Sequence, residues 1–154
     1  MECSSAVMRI LSSIVVVVLL AMPAPPAYGE EQVVLVASAE SPIDNLSSLE
    51  LRKAYLGISV RRDGDSIRAL RNMTDPQLNR IFLQSVMATS QPVYERRLLS
   101  LALKYGRPRP AEYDNHAAIL RALTEHPYSI TYMWKTDADQ SPNLKVIKVL
   151  WREN

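Results

Sequence analysis

The sequence predicts an α/β domain in which helices cover both faces of a sheet. A continuous β-branched and apolar run at 33–37 is typical of a strand that is buried on both faces. The segments between the predicted strands carry apolar residues at helical spacing, which is typical of helices packed on a sheet. Alternation of such strands and helices favours an α/β architecture. Because right-handed crossovers join parallel strands, we expect the first two strands to be parallel and close neighbours.

The helix after the first strand has complete start and stop signals. Ser47 and Glu50 have the S-x-x-E spacing of a capping box, and Leu46 and Leu51 have the positions of a hydrophobic staple. Gly57 tolerates the left-handed conformation in which helices often end. The sequence therefore predicts a helix between this cap and this glycine.

A short strand at 66–70 leads through a polar turn into a second helix. Apolar residues recur at helical spacing through 78–86, and Pro76 suits the first turn of a helix. Either Thr74 or Asp75 can be the N-cap. The free N–H groups and the dipole of a helix start make this turn a candidate anion site.

The second half of the chain alternates again between helices and strands. In order, the sequence predicts a helix from about Pro92 to Tyr105, a helix capped by Asp114 or Asn115, a half-buried strand at 129–134, a loop at 137–142 and a strand at 144–150. Pro108 and Pro110 favour an extended backbone in the segment that holds Arg107 and Arg109. These two arginines either flank a surface loop or meet an anion or an acidic partner.

Composition and motifs exclude several classes of function. A formal net charge of +2 does not indicate nucleic-acid binding. With only 4 glycines, the chain cannot build glycine-rich phosphate loops, and it has no G-x-S-x-G motif. His116 and His126 are not spaced as metal ligands, and nothing in the sequence indicates the burial that a catalytic pair of Glu95 and Glu112 would need. We therefore predict no enzyme activity, no catalytic residues, no metal and no cofactor.

Residues 1–29 have the layout of a secretory signal peptide. A weakly basic start precedes an apolar run at 10–22, prolines follow, and a small-x-small triplet ends at Gly29. The run is short and bounded by proline, which disfavours a membrane span. We predict cleavage near Gly29, a single domain at 30–154 and a periplasmic location. An uncleaved N-terminal anchor is the alternative, and Met8 is an alternative start.

Several segments together resemble a known family. The stretches 33–37 and 46–57 resemble the first strand and the L-S-x-x-x-L-x-x-I-F-x-G helix of type 2 periplasmic binding proteins, especially the phosphate-binding components of ABC transporters and their short single-domain relatives. The likeness continues through 67–86 and 105–110 to 126–132, which is similar to the family's P-G-A-I-G-Y strand entry. The resemblance implies a single periplasmic-binding-protein-like lobe, with a mixed sheet covered by helices on both faces.

The resemblance also implies a function and a site. It implies an exported solute-binding domain that binds phosphate or another small oxyanion for an ABC transporter. The ligand residues would be Ser38 after the first strand, and Arg71, Asn72 and Thr74 at the turn after the second strand. Open α/β sheets usually bind ligands at such carboxyl ends of strands.

The chain departs from the family pattern at this turn. The family's S-G-T/S-R element is replaced by residues 72–75, which contain no glycine and add the acid Asp75. Tyr128 and Thr131 replace both glycines of the strand entry, and the chain accounts for one lobe where the family uses two. These departures support a second hypothesis, in which the chain is an interaction or sensory accessory module of the envelope without small-molecule binding. Its partner would be a membrane transporter or sensor.

Overall fold

The structure is a computed structural model that describes residues 29–154, so the predicted signal peptide lies outside the described residues except for Gly29. The strands are β1 (Gln32–Ser38), β2 (Arg61–Arg62), β3 (Asp65–Ser66), β4 (Arg68–Asn72), β5 (Ala111–Tyr113), β6 (Ser129–Trp134) and β7 (Leu144–Arg152). The helices are α1 (Ser48–Tyr55), α2 (Pro76–Phe82), α3 (Gln91–Tyr105), α4 (His116–Glu125) and α5 (Lys135–Asp139). A π-helical turn, Leu83–Met87, continues α2. Within this described part, no helix has the length and apolar character needed to cross a membrane.

Five strands form one mixed sheet in the order β5-β4-β6-β1-β7. Strand β1 lies between β6 and β7 and is antiparallel to both, whereas β4 is parallel to β5 and β6. The predicted mixed α/β architecture is confirmed. The expectation that the first two long strands are parallel is wrong, because β6 lies between β1 and β4 and β1 runs in the opposite direction. The partners of β1 come from the end of the chain, so the crossover rule does not govern its direction.

Helices cover both faces of this sheet, as predicted. Val33, Leu35 and Ala37 point into a core that contains residues of α1, α2 and α3. Val34 and Val36 point into a second core with residues of α4 and α5. All five side chains are buried. Because both faces of the strand are covered, every position from 33 to 37 is apolar.

Strand β6 is more buried than its alternating sequence predicts. Ser129 and Thr131 are buried together with the apolar residues of the strand, since β6 lies between β4 and β1 and both of its faces are covered. The Thr131 hydroxyl donates a hydrogen bond of 2.9 Å to the Leu70 carbonyl oxygen. A short polar side chain is therefore accommodated in this core by bonding to the neighbouring backbone.

The caps of α1 match the sequence prediction. The Ser47 hydroxyl accepts the Glu50 N–H at 3.2 Å, and the Glu50 carboxylate accepts the Ser47 N–H at 2.9 Å. This second bond lowers the pKa of Glu50. At the other end, the Gly57 and Ile58 N–H groups donate to carbonyls of the last turn, which is a Schellman arrangement.

Gly57 also allows two parts of the chain to approach closely. Its φ is +72°, and a Cβ at this position would overlap the carbonyl oxygen of Pro108. The end of α1 therefore lies directly against the proline-rich segment between α3 and β5. Only a residue without a side chain fits both the backbone conformation and this contact.

The structure differs from the sequence prediction at one strand boundary and at one loop. Strand β4 begins at Arg68, because Asp65 and Ser66 belong to a short β2–β3 hairpin whose turn, Asp63 and Gly64, has positive φ angles. Helix α5 occupies part of the predicted loop, and its Ala138 packs into the second core.

Candidate functional site

The turn between β4 and α2 is capped by a carboxylate of the chain itself. Asp75 is the N-cap of α2, which decides between the two residues that the sequence left open. One of its oxygens accepts the Gln77 N–H at 2.8 Å and the Leu78 N–H at 3.4 Å, and the other accepts the Trp134 indole N–H at 2.8 Å. The amide groups that could have met an external anion are thus occupied by an internal one.

These contacts favour the charged form of Asp75. The hydrogen bond from the Trp134 indole is the main reason that the pKa of Asp75 is lowered, and the backbone N–H groups of Gln77 and Leu78 add to the effect. The carboxylate is therefore ionised at neutral pH, and it gives the turn a negative charge.

Protonation of Asp75 is expected to weaken the fold in acid. The pKa of Asp75 in the folded protein lies below its unfolded value of about 4. The charged carboxylate therefore adds to the free energy of unfolding above that value, and this addition is lost as the pH falls through the folded pKa. Asparagine caps a helix about as well as aspartate, but its NH₂ group cannot accept the Trp134 N–H. We therefore expect Asp75→Asn to lower the free energy of unfolding by about 1 kcal/mol at neutral pH and to flatten its decline below about pH 4. Urea unfolding across this range, followed by Trp134 fluorescence in a Trp151→Phe background, measures both effects. If the stability of Asp75→Asn falls with acid as steeply as that of the parent, Asp75 is not the group responsible. Glu50 also has a lowered pKa, so Glu50→Gln is the matched control that measures its share of the acid dependence.

Asn72 and Thr74 lie together at the turn, but their polar groups bond to each other. The Asn72 carboxamide oxygen accepts the Thr74 N–H at 3.1 Å and the Thr74 hydroxyl at 2.6 Å. The Asn72 NH₂ group donates to the Tyr132 carbonyl oxygen at 3.0 Å. Asn72 is buried and Thr74 is exposed. In this conformation the pair stabilises the turn and leaves few donors for a ligand.

Arg71 is buried at the end of β4 and is neutralised by two carboxylates. Its side chain is 1% exposed. One guanidinium nitrogen bonds to Glu112, which lies opposite Arg71 in the β4–β5 register, and another bonds to Glu95 of α3 at 2.8 Å. The guanidinium also lies 4.9 Å from the centre of the Tyr94 ring. Arg71 is therefore a structural cation and not a free anion receptor.

Glu95 connects Arg71 to a longer chain of hydrogen bonds. It also accepts hydrogen bonds from Arg109 and from the Gln91 side chain, the latter at 2.9 Å. Gln91 accepts from Asn79 at 2.7 Å, and Asn79 accepts from the Tyr132 hydroxyl at 2.9 Å. We call these residues the polar network; they are Arg71, Asn79, Gln91, Glu95, Arg109, Glu112 and Tyr132. This network could not be predicted from the sequence, because, apart from Gln91 and Glu95, its members come from separate elements of the chain.

Ser38 lies at the opposite end of the sheet from the turn. Ala37 is level with Ile130, and Ile130 is level with Ala69, so Ser38 lies beside the beginning of β4. The expectation that Ser38 shares one sheet edge with the turn is wrong, because β1 is antiparallel to β4. The Ser38 hydroxyl instead accepts the Glu40 N–H at 3.4 Å.

A cavity of about 500 Å³ opens beside the turn, between α2 and the start of α3. Its lining residues are Met73, Asp75, Pro76, Asn79, Arg80, Leu83, Gln84, Thr89, Ser90, Gln91 and Pro92. The lining carries one guanidinium and one carboxylate, so the formal charges cancel. A site built for a doubly charged oxyanion would have an excess of cationic groups and N–H donors.

The fold is similar to part of the solved structures of two phosphate transport receptors. Neither a family model nor a curated protein sequence matches the chain. The chain is similar to an ABC-type phosphate transport receptor from Vibrio cholerae, with a TM-score of 0.56 and 14% identity over 77% of this chain and 46% of that one. It is also similar to PstS from Borrelia burgdorferi, with a TM-score of 0.57 and 14% identity over 78% of this chain and 47% of that one.

These similarities concern the fold. They confirm the predicted resemblance to a lobe of the phosphate-binding components of ABC transporters. The chain spans less than half the length of either receptor. Sequence identity this low does not carry the ligand of those receptors over to this chain.

Proposed function

We propose that this chain is a protein-interaction domain of the cell envelope, built on a solute-binding lobe that no longer holds an oxyanion at its turn. The observation that carries the proposal is the Asp75 carboxylate, which occupies the first-turn N–H groups of α2. A phosphate there would have to displace this carboxylate or lie beside its negative charge.

The state of Arg71 supports the same proposal. Its charge is matched by Glu95 and Glu112, so an incoming anion would compete with two carboxylates already in place. Breaking such a buried pair is costly, because the buried partner loses its compensation.

The surface of α3 supports a role in protein contact. Among the described residues, large apolar side chains are exposed along this helix: Val93, Leu99, Leu103 and Tyr105. Leu103 is 78% exposed. At helical spacing Val93, Leu99 and Leu103 lie on the same side of α3, and contiguous exposed apolar surface is typical of interaction sites. The signal-like sequence at 1–29 supports a periplasmic location for this surface.

The alternative function is binding of phosphate or another small oxyanion for an ABC transporter. The fold shared with receptors that are named for phosphate transport favours it. In that case Arg71, Asn72 and Thr74 would contact the anion, and Ser38 would remain remote from it.

Calorimetric titration of the full chain with phosphate and then sulfate separates the two functions. We expect no saturable heat at millimolar anion. Saturable heat that is lost in Thr74→Ala, and kept in the matched control Thr124→Ala on the exposed side of α4, would overturn the proposal in favour of the receptor alternative. A second experiment tests for the partner directly. A photo-crosslinking residue replaces Leu103, and we expect one discrete protein adduct when the chain is irradiated with envelope fractions.

A further inference from the structure

A second cavity lies at the other end of β4 from the turn, and it has a different character. Its volume is about 530 Å³. Its lining comes from three stretches of the chain: Ala54 with 57–59, 66–70, and 105–111. We call this cavity the arginine groove. It contains none of the residues that the sequence placed in the ligand site.

The charge of the arginine groove is of one sign. Its lining includes Arg68, Arg107 and Arg109, and it includes no aspartate or glutamate. Arg109 is paired with Glu95. Arg68 is exposed and Arg107 half-buried, and neither has an acidic partner within residues 29–154. Two uncompensated guanidinium groups on one concave surface favour an anionic occupant.

Besides the arginines, the lining has an apolar part and two serines, Ser59 and Ser66, whose hydroxyls bond to each other. Carbon surface comes from Ile58, Ile67, Pro108 and Pro110. Tyr105 also lines the cavity and is 69% exposed. The prolines restrict the backbone of this wall, and the close approach of Gly57 to Pro108 fixes it against α1. Little ordering is therefore needed when an occupant binds, which favours affinity.

We propose that the arginine groove binds an extended acidic segment of a protein partner. Carboxylates of the segment would pair with the forked donors of Arg68 and Arg107, and an apolar side chain would pack on Tyr105 and the prolines. A lone phosphate would leave the apolar lining unused, whereas a peptide uses both kinds of surface. This inference rests on the proposed function and names the chemistry of the partner.

Fluorescence anisotropy with the full chain tests the inference. The probe is a short fluorescein-labelled peptide of alternating glutamate and leucine, and the matched peptide has glutamine in place of glutamate. We expect saturable binding of the acidic peptide, at least about tenfold tighter than that of the glutamine peptide and weaker at high salt. The double variant Arg68→Gln/Arg107→Gln is expected to lose that difference.

The matched control is Arg96→Gln/Arg97→Gln, which removes the same charge from exposed positions of α3 outside the groove. Thermal unfolding of both double variants checks that each remains folded. Preserved peptide affinity in the control supports the groove. Equal weakening in both pairs, or no binding of the acidic peptide by the parent chain, overturns the inference.

Failure of the inference is distinguishable from failure of the proposed function. A parent chain that binds no acidic peptide, binds no phosphate and still crosslinks to a partner through Leu103 overturns the groove and leaves the interaction function standing. Phosphate binding that requires Thr74 overturns the interaction function, and the inference falls with it.

Discussion

Replacement of Gly57 with alanine is expected to destabilise the protein by about 3 kcal/mol or more. The left-handed backbone at this position costs an L-residue about 1–2 kcal/mol. In addition, the new Cβ would overlap the carbonyl oxygen of Pro108, so one of two backbone segments would have to move. Urea denaturation of the parent and the variant at neutral pH measures the loss.

Gly106→Ala is the matched control for this prediction. Gly106 also ends a helix, its φ is +61°, and a Cβ there would meet no atom within 4 Å. This control variant carries only the conformational cost of the left-handed backbone, which we expect to be about 1–2 kcal/mol. The difference between the two losses isolates the contact with Pro108. Equal losses would show that this contact contributes nothing.

Glu95→Ala is expected to lower the free energy of unfolding by about 2 kcal/mol. Arg71 is almost fully buried, and the variant removes one of its two carboxylate partners. Breaking a buried ion pair costs about 3–5 kcal/mol, and the partial exposure of Glu95 reduces this figure. Gln91 and Arg109 also lose their acceptor.

Two further variants show whether the burial of Arg71 causes this loss. Glu125→Ala removes an exposed acid at the end of α4 and is expected to change stability by less than about 0.5 kcal/mol. Arg71→Met in the Glu95→Ala background removes the undercompensated cation, and we expect it to cause little further loss. If Arg71→Met instead destabilises the Glu95→Ala variant by a further large amount, the side chain of Arg71 stabilises the protein through packing alone.

Local features of this protein were predictable because their causes are local. The capping box of α1 needs only Ser47 and Glu50, and its termination needs only Gly57. The unbroken apolar run of β1 indicated a strand covered on both faces without any knowledge of its neighbours. The resemblance then identified the turn after β4 as the family's ligand position.

The remaining features depend on parts of the chain that are distant in sequence. The direction of β1 is set by its pairing with β6 and β7, so residues near β1 in the sequence do not indicate this direction. The neutralisation of Arg71 requires Glu112 on the three-residue strand β5, together with Glu95 of α3. Asp75 was visible as a departure from the family pattern, but its bond to Trp134 became apparent only once β6 was placed beside the turn.

The position of β1 has a consequence for how the protein reaches its native state. β1 is synthesised before the other strands of the sheet that the structure describes, yet Val33 pairs with Trp134 and Gln32 pairs with Arg152. The strand therefore has no sheet partner until the last segments of the chain are available, and the entropy of closing such long loops makes folding slow. During this interval a valine-rich strand with both edges open is the segment most exposed to self-association. Protection of this strand during synthesis, more than the stability of the finished sheet, is expected to limit the yield of folded protein.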